Sequence, residues 1–371
     1  MSMRTTAAIL WEVGTPWSVE EVELDDPQPG EVRVKLASSG LCHSDDHSVK
    51  GDLPTGLPII GGHEGAGVVE EVGPGVTRLK PGDHVVMAFM PACGHCRWCA
   101  SGVSVLCDYG AVVMSGMPIA DGKPRTHARG QGVMRMSLLG TFSPYAVVHQ
   151  DSCVKIDDDL PLDLASLVGC GVATGFGAAV NRAQVGPGDT VVVVGTGGVG
   201  SSAVQGARIA GAQYIIAVDP IPFRREQAEL LGATHSVASM DDAMPLVAEL
   251  TRGVMADRTI LTTSLAKGDL IKPLLLLTRK GGRACLTSTA NPNVDNVDLV
   301  LVDLIFGQKE IVGNVFGGLN PHADLPRLLS LYRTGELKLK ELVTKRYTLD
   351  EVNEGYDDLL AGRIMRGMIV F

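Results

Sequence analysis

Residues 190–219, TVVVVGTGGVGSSAVQGARIAGAQYIIAVD, decide the fold class of this chain. An apolar run comes first, followed by a glycine turn, an amphipathic stretch and a second apolar run that ends in Asp219. A strand without a polar face is typical of a parallel sheet that is buried on both sides. The stretch therefore predicts one βαβ unit, and the same alternation in RREQAELLGATHSV, ADRTILTTS and GGRACLTS predicts an α/β domain with a doubly wound parallel sheet.

The glycine turn matches G-x-G-x-x-G between the predicted strand and helix. Glycine permits the tight turn, lets backbone amides approach a pyrophosphate at the positive helix N-terminus, and allows the helix to pack closely on the strand. Asp219 closes the next strand, where an acid binds the adenosine ribose and favours NAD over NADP. A glycine-rich turn without a ligand is the alternative. The predicted cofactor-binding residues of the turn are Gly195, Gly197, Gly198, Val199 and Gly200.

Length, charge and cysteine content restrict the function classes. With 371 residues the chain is too long for one ordinary core, which favours two domains. A net charge of -10 argues against a nucleic-acid or anionic-membrane partner. No stretch approaches about 18 uninterrupted apolar residues, and the start of the chain lacks a signal-peptide pattern. The eight cysteines are then expected to bind metal or to be buried and reduced, which predicts a cytoplasmic protein.

The first ~170 residues have a different pattern, with short alternating strands between Pro-Gly and Gly-Pro turns. In GEVRVKL, apolar residues occupy one face and basic residues the other. Such spacing is typical of a small β-barrel. The tail from about residue 316 mixes helix with a final strand, MRGMIVF, that is expected to return to this first domain.

Four cysteines in PACGHCRWCASGVSVLC form the most compact candidate site. Four thiolates at this spacing can surround one tetrahedral zinc, which predicts a closed structural site. An iron–sulfur cluster is the competitor, but the ferredoxin pattern has a shorter last gap followed by Cys-Pro. A DNA-binding finger is not expected, since no basic helix follows. The predicted ligands are Cys93, Cys96, Cys99 and Cys107.

Cys42, His63 and Cys170 form a scattered third set in three glycine-rich segments. Two thiolates and an imidazole are the three protein ligands that a catalytic zinc can take while it keeps a fourth position open. The sequence alone does not establish that the three segments converge. Each residue is also compatible with an ordinary interior position.

Several segments together resemble one known family. They are GLCHSDDH, GGHEGAGVVEEVG, the four-cysteine lobe, GTFSPY, VGCGVATGFG, GTGGVGS and the ending RGMIVF. In order and spacing they are similar to the zinc-dependent alcohol dehydrogenases of the medium-chain dehydrogenase/reductase superfamily. The resemblance implies a GroES-like, β-rich catalytic domain over residues 1–171 and 314–371, with the zinc lobe at about 91–110, and a Rossmann NAD-binding domain over 172–313.

The resemblance also implies roles for the residues of the catalytic domain. Cys42, His63 and Cys170 would hold the catalytic zinc, with Glu64 behind it and Asp45 bonded to the second nitrogen of His63. Ser44 would accept the substrate hydroxyl proton and pass it through the nicotinamide ribose to His47 at the surface. The plainer interpretations are a helix N-cap for Ser44 and an exposed helix residue for His47. Asp46 is left as a solvated residue of the first helical turn.

For the cofactor, the resemblance places His43 and Arg366 at the pyrophosphate and Arg224 beside the adenosine ribose, with Thr174 as a further contact. The substrate pocket would be apolar, which favours a primary alcohol or aldehyde of modest size. Its lining would be Leu53, Phe89, Leu106, Val112 and Met136.

A narrower resemblance points to the actinobacterial nicotinoprotein branch, which uses a nitrosoaniline acceptor and keeps NAD(H) bound. It rests on LVGCGVATGFGAAV, DPIPFRREQAELLGATH and the segment from FGGLNPHADL to TKRY. A thiol-dependent formaldehyde dehydrogenase and a non-catalytic NAD-binding zinc protein stay open as alternatives. A zinc-free quinone reductase is disfavoured, because it would lack both cysteine sets. A homo-oligomer, either dimer or tetramer, is expected through the lobe or the sheet edge near VDLVLVDLIF.

Overall fold

The computed structural model describes residues 2–293 and 295–371. The strands, in chain order, are β1 (Met3–Leu10), β2 (Ser18–Leu24), β3 (Glu31–Gly40), β4 (Ile59–Ile60), β5 (Gly65–Val72), β6 (His84–Met87), β7 (Thr126–Ala128), β8 (Gln131–Arg135), β9 (Tyr145–His149), β10 (Cys153–Ile156), β11 (Thr190–Val194), β12 (Tyr214–Val218), β13 (His235–Val237), β14 (Ala256–Leu261), β15 (Thr278–Leu286), β16 (Glu310–Gly313), β17 (Val343–Tyr347) and β18 (Arg366–Val370).

The α-helices are α1 (His43–Lys50), α2 (Arg97–Ala100), α3 (Leu162–Ala165), α4 (Gly171–Gly177), α5 (Gly198–Ile209), α6 (Pro222–Leu231), α7 (Met240–Leu250), α8 (Ile271–Leu277), α9 (Leu301–Phe306), α10 (Pro321–Arg333) and α11 (Val352–Leu360). The chain divides into two compact units. One comprises Met1–Cys170 and Asn320–Phe371, and the other comprises Gly171–Leu319.

The first unit is built from β-sheets. A closed barrel has the order β1-β2-β7-β8-β4, and a second sheet has the order β10-β6-β5-β3-β18-β17 with β9 paired to β3. One core cluster lies around Ile9, Trp17 and Phe142, and another lies around Val32, Val34 and Val85. These sheets fulfil the expectation of a β-rich, barrel-containing region.

Strand β3 positions the candidate site of this unit. On one side it pairs antiparallel with β5, with Ser39 opposite Gly65. On the other side it pairs antiparallel with β18, with Gly40 opposite Met368. The residues just after β3, just before β5 and at the start of β18 therefore meet at one end of the sheet. The last strand of the chain thus completes the sheet of the first unit.

The second unit is a parallel sheet with the order β13-β12-β11-β14-β15-β16. On β11, Val191 and Val193 belong to one core cluster, and Val192 and Val194 belong to another. Both faces of the strand are therefore buried, as its uninterrupted apolar sequence predicts. The α/β fold class, with a β-rich domain and a doubly wound parallel sheet, is confirmed. The residue limits 171/172 and 313/314 for the two domains stay a prediction.

Candidate functional site

Four side chains converge at the end of β3. Single ligand atoms of Cys42, His63, Glu64 and Cys170 all lie within 4.8 Å of one another. The β3–β5 register brings His63 and Glu64 beside Cys42. The Gly40 N–H donates to the Glu64 carbonyl at 2.9 Å. Cys170 arrives from the other side, where Gly169 packs so closely on β6 that a Cβ would lie 2.4 Å from the Met87 carbonyl oxygen. The structure thus brings together three residues whose convergence the sequence left open.

The charge distribution within this group is uneven. A hydrogen bond with Cys170 holds the pKa of Cys42 well below its ordinary value, although burial opposes the shift. The same bond and burial raise the pKa of Cys170. Against burial, the Asp45 carboxylate and Cys42 raise the pKa of His63. Two cysteine sulfurs and a histidine ring nitrogen therefore converge in a buried position, which is a donor set that fits zinc.

Asp45 orients the imidazole of His63. Its Oδ1 accepts from His63 Nδ1 at 3.1 Å and from the Gly62 N–H at 2.9 Å, and the carboxylate is fully buried. With Nδ1 engaged, Nε2 of the ring is left for a metal, which is the arrangement found in zinc sites with an outer carboxylate. Sequence reasoning had no signal for Tyr356, whose buried hydroxyl donates to the Cys42 carbonyl at 3.4 Å.

Glu64 forms a fully buried ion pair with Arg366. Burial raises the pKa of Glu64 to about 7, against the opposing charge of Arg366. Gly40 leaves the room for this pair, because a Cβ there would lie 2.2 Å from Glu64 Oε2. Arg366 thus neutralises a carboxylate of the candidate metal site, while its predicted pyrophosphate contact stays a prediction.

Helix α1 corrects three expectations. Its N-cap is Cys42, without a side-chain cap bond, so Ser44 is not the cap and lies in the first turn. His47 is buried rather than exposed at the surface, because the chain folds back over the end of the helix and the Asp52 and Leu53 amides bond to its carbonyl. Asp46 is buried and pairs with Lys50 at 2.7 Å, so it is not a solvated residue.

Ser44 lies close to the candidate metal ligands, with 3.7 Å between its Oγ and Cys42 Sγ. His47 Nδ1 lies 2.9 Å from Asp52 Oδ2, a contact that sequence reasoning missed. The available signal was weak, since Asp52 follows the glycine that ends α1. His43 occupies the first position of the same helix and is half-buried.

The four cysteines of the lobe form a second compact group. Their sulfur atoms lie within 4.8 Å of one another. Backbone amides point at the sulfurs: Cys96 N donates to Cys93 Sγ at 3.3 Å, Cys93 N to Cys107 Sγ at 3.4 Å, and Cys99 N to Cys96 Sγ at 3.5 Å. Such donors stabilise thiolates, and four thiolates at this distance fit a closed tetrahedral zinc site.

The glycine turn of the second unit has the predicted form. Gly195 has φ +86°, and a Cβ on Gly200 would lie 1.8 Å from the Gly195 carbonyl oxygen. The turn leads into α5, whose N-cap is Gly197. Gly198 and Val199 form the first turn of that helix, so their amides belong to its positive end.

Asp219 lies directly after β12 and is 2 % exposed. Its two carboxylate oxygens accept from the Thr196 and Ile221 amides, each at 2.9 Å, and Arg224 Nη1 lies 4.0 Å away. The Asp219 carboxylate therefore fixes the conformation of the glycine turn. Its predicted hydrogen bonds to the adenosine ribose stay a prediction. Thr174 Oγ1 is buried without a hydrogen-bond partner among the described residues.

The predicted pocket residues lie in different surroundings. Phe89 packs edge-on against His63, with 6.1 Å between the ring centroids. Met136 is buried, and its sulfur lies 3.4 Å from Ser48 Oγ. Leu53 is half-buried, whereas Leu106 on the lobe and Val112 just after it are exposed. Phe89 is thus the predicted pocket residue whose contact with the candidate metal site is direct.

In the part of the chain that the structure describes, no single helix has the length and apolar character needed to cross a membrane.

Two family descriptions match the chain. "Alcohol dehydrogenase GroES-like domain" matches residues 28–158, and "Zinc-binding dehydrogenase" matches residues 198–334. Alcohol dehydrogenase B of Mycobacterium tuberculosis is 50% identical over 368 residues, which cover 99% of this chain and 98% of the relative. The NDMA-dependent alcohol dehydrogenase of Amycolatopsis methanolica is 51% identical over 369 residues, with 99% of each protein covered.

Solved structures of alcohol dehydrogenases also superpose on this chain over nearly its whole length. An alcohol dehydrogenase zinc-binding domain protein from Burkholderia ambifaria superposes with a TM-score of 0.93 at 33% identity and covers 100% of both chains. Benzyl alcohol dehydrogenase from Acinetobacter calcoaceticus superposes with a TM-score of 0.92 at 30% identity, covering 100% of this chain and 99% of its own.

Proposed function

Because the chain belongs to the zinc-dependent alcohol dehydrogenases with a GroES-like domain, it is an NAD-dependent zinc oxidoreductase of alcohols and aldehydes, and we propose that it keeps NAD(H) bound between turnovers. The reaction class follows from the family. The alternatives, a thiol-dependent formaldehyde dehydrogenase and a non-catalytic zinc protein, are not favoured by relatives that are named alcohol dehydrogenases.

The assignment of the catalytic zinc to Cys42, His63 and Cys170 rests on one observation, the convergence of their ligand atoms within 4.8 Å. When bound there, zinc supplies a Lewis acid for the substrate oxygen, and NAD supplies the hydride acceptor. Asp45 fixes the imidazole of His63, and the Arg366 guanidinium balances the charge of Glu64.

The remaining steps belong to residues of α1. Ser44 lies beside Cys42 and takes the proton of the substrate hydroxyl, and His47 receives it further along. Phe89 closes the apolar side of the site at His63, which favours an uncharged alcohol of modest size, such as a primary alcohol. The structural zinc is assigned to the four lobe cysteines.

Retention of the cofactor is supported by 51% identity to an NDMA-dependent alcohol dehydrogenase. The preformed glycine turn and the buried Asp219 support the use of NAD, but they do not distinguish a retained cofactor from an exchanging one. Retention is tested by exhaustive dialysis of pure protein, followed by denaturation and measurement of released nicotinamide. We expect about one nicotinamide per chain and alcohol-driven reduction of a nitrosoaniline without added NAD. No released nicotinamide, together with a strict requirement for added NAD, would contradict retention.

We also propose a homodimer that forms through the edge of the parallel sheet. Strand β16 ends the sheet, and the neighbouring helix α9 exposes apolar side chains, with Leu301 62%, Ile305 64% and Phe306 82% exposed. An apolar surface beside an open strand edge is typical of an interface. Sedimentation of Phe306→Asp should show monomer. The control Leu230→Asp alters a side chain of α6 that is also exposed and should stay dimeric, and a dimeric Phe306→Asp variant would exclude this surface.

None of the eight cysteines is paired in a disulfide in the part of the chain that the structure describes, which supports a proposed location in the reducing cytoplasm. Fractionation of cells that produce the protein tests this location.

A further inference from the structure

The end of α1 folds back onto His47. Gly51 takes the left-handed conformation with φ +76°, and its amide bonds to the carbonyls of the last helical turn. The next amide, that of Asp52, donates to the His47 carbonyl at 2.9 Å. This helix-ending turn places the Asp52 carboxylate against the imidazole, with 2.9 Å between Oδ2 and Nδ1. The backbone therefore holds Asp52 next to His47, within reach of its ring.

Burial separates the two partners. The His47 side chain is 3% exposed, whereas the Asp52 side chain is 26% exposed. A proton that reaches His47 therefore needs a further group to reach water, and Asp52 is bonded to it and accessible to solvent. Asp52, and not His47, is therefore the member of the pair that contacts solvent.

Neighbouring charged groups have other partners. On the same helix, Asp45 bonds to His63 and Asp46 pairs with Lys50. The loop that packs on the end of α1, through the Gly14 amide and the Val49 carbonyl, contains the acidic residue Glu12, whose side chain is exposed. Asp52 is thus a carboxylate in direct contact with the His47 ring.

The chemistry of this pair defines the state of the ring. An ionised carboxylate can only accept a hydrogen bond, so Nδ1 must carry the proton and Nε2 keeps its lone pair. When Nε2 takes up a proton, the ring becomes an imidazolium whose charge the carboxylate balances. Release then breaks the Nδ1–H bond, forms an O–H bond on Asp52 and passes that proton to bulk water. This restores the carboxylate and leaves the ring neutral with its proton on Nε2, a proton that the ring must exchange before the next turnover.

We propose that Asp52 is the positioning residue of His47 and the exit of its proton path to solvent. The proposal rests on the proposed function, in which His47 receives the proton of the substrate alcohol. It extends that path by one residue that the family resemblance did not include.

The test compares four variants of the zinc-loaded, full-length enzyme. His47→Gln removes the proton acceptor, Asp52→Asn removes the carboxylate charge, and Asp52→Glu retains it. The matched control is Asp46→Asn, which removes the carboxylate next to His47 that pairs with Lys50. Single-turnover oxidation of an alcohol is followed by the absorbance of the reduced nicotinamide. Zinc content and Tm are measured for every variant to separate a folding defect from a catalytic one.

We expect Asp52→Asn and His47→Gln to slow the reaction at neutral pH by on the order of 100-fold, the lower end of the range for a lost acid–base group. KM should stay near the wild-type value, and both losses should shrink as the concentration of a small buffer base rises, because that base takes the proton directly. Asp52→Glu should recover part of the rate, and Asp46→Asn should react like the wild type.

Two results would overturn the proposal. If Asp52→Asn reacts like Asp46→Asn while His47→Gln is slow, the proton path ends at His47 and Asp52 only caps the helix. If His47→Gln also reacts at the wild-type rate, neither residue carries the proton, and the proposed path itself is wrong. A wild-type enzyme without alcohol oxidation would instead contradict the proposed function.

Discussion

Glu64 and Arg366, 302 residues apart in the chain, form a buried ion pair beside the sulfur and imidazole ligands of the candidate metal site. The pair exists because β5 and β18 flank β3 on opposite sides. A buried charge that loses its partner costs far more than an exposed one. Removing either charge of this pair should therefore lower the stability of this end of the sheet and change the net charge of the candidate metal site.

Arg366→Met should destabilise the protein by about 3–5 kcal/mol, because Glu64 is left buried without its counterion. The loss should be greater at pH 8 than at pH 6. Without Arg366 the pKa of Glu64 rises above about 7, so the folded state holds its proton more tightly than the unfolded state. Urea denaturation at both pH values measures this. The control Arg333→Met breaks an exposed pair with Asp157 and should cost less than about 1 kcal/mol. Equal losses in the two variants would contradict the structural assignment.

Cys107→Ser should remove the zinc of the lobe and leave the other site loaded. The zinc content, measured by elemental analysis, should fall from two ions per chain to one. Tm should fall as well, because structural zinc contributes folding free energy. Cys153→Ala is the control. Cys153 belongs to neither group, and burial raises the pKa of its thiol to about 12, so it should keep both zinc ions. Two zinc ions in Cys107→Ser would argue against the lobe as a metal site.

Two glycines of the nucleotide turn should respond differently to alanine. A Cβ on Gly200 meets the Gly195 carbonyl oxygen at 1.8 Å, so Gly200→Ala should destabilise the protein by roughly 1–3 kcal/mol. Around Gly197 nothing lies within 4 Å of an added Cβ, so Gly197→Ala should change stability by less than about 0.5 kcal/mol. It should nevertheless reduce the bound nicotinamide, since the methyl group occupies the approach to the pyrophosphate. Normal nicotinamide content in Gly197→Ala would show that the cofactor does not approach there.

His322 should make stability depend on pH. Burial, and then the Arg78 charge, lower its pKa, and the ring lies 3.1 Å from the Ala92 carbonyl beside the cysteine lobe. Because the folded state holds this proton less tightly, stability is complete above the ordinary histidine pKa of about 6.5 and falls as pH drops below it. The slope from one group is at most about 1.4 kcal/mol per pH unit. His322→Gln should flatten the urea-denaturation profile between pH 7 and pH 5, and an unchanged slope would exclude this residue.

Features that depend on local sequence were predictable. The four lobe cysteines lie within one short segment, and the glycine turn is contiguous with its strand and helix, so spacing alone defines their geometry. The uninterrupted apolar sequence of β11 likewise predicted a strand that is buried on both faces.

Features that depend on tertiary register were not predictable from residues alone. Cys42 and His63 meet because Ser39 pairs with Gly65, and no local pattern specifies that register. The burial of His47 and Asp46 follows from how the chain covers α1, which the short polar helix does not reveal. The family resemblance indicated Cys42 and His63 as metal ligands. The structure corrected the expected exposure of His47 and Asp46.

The central claim is that Cys42, His63 and Cys170 hold the zinc at which the alcohol reacts. The most direct measurement is the zinc content and alcohol oxidation of Cys170→Ala beside the wild type. We predict two zinc ions per chain in the wild type and one in the variant, with a loss of oxidation while the lobe zinc and most of the stability remain. A Cys170→Ala protein that keeps two zinc ions and oxidises alcohol at the wild-type rate would contradict the account.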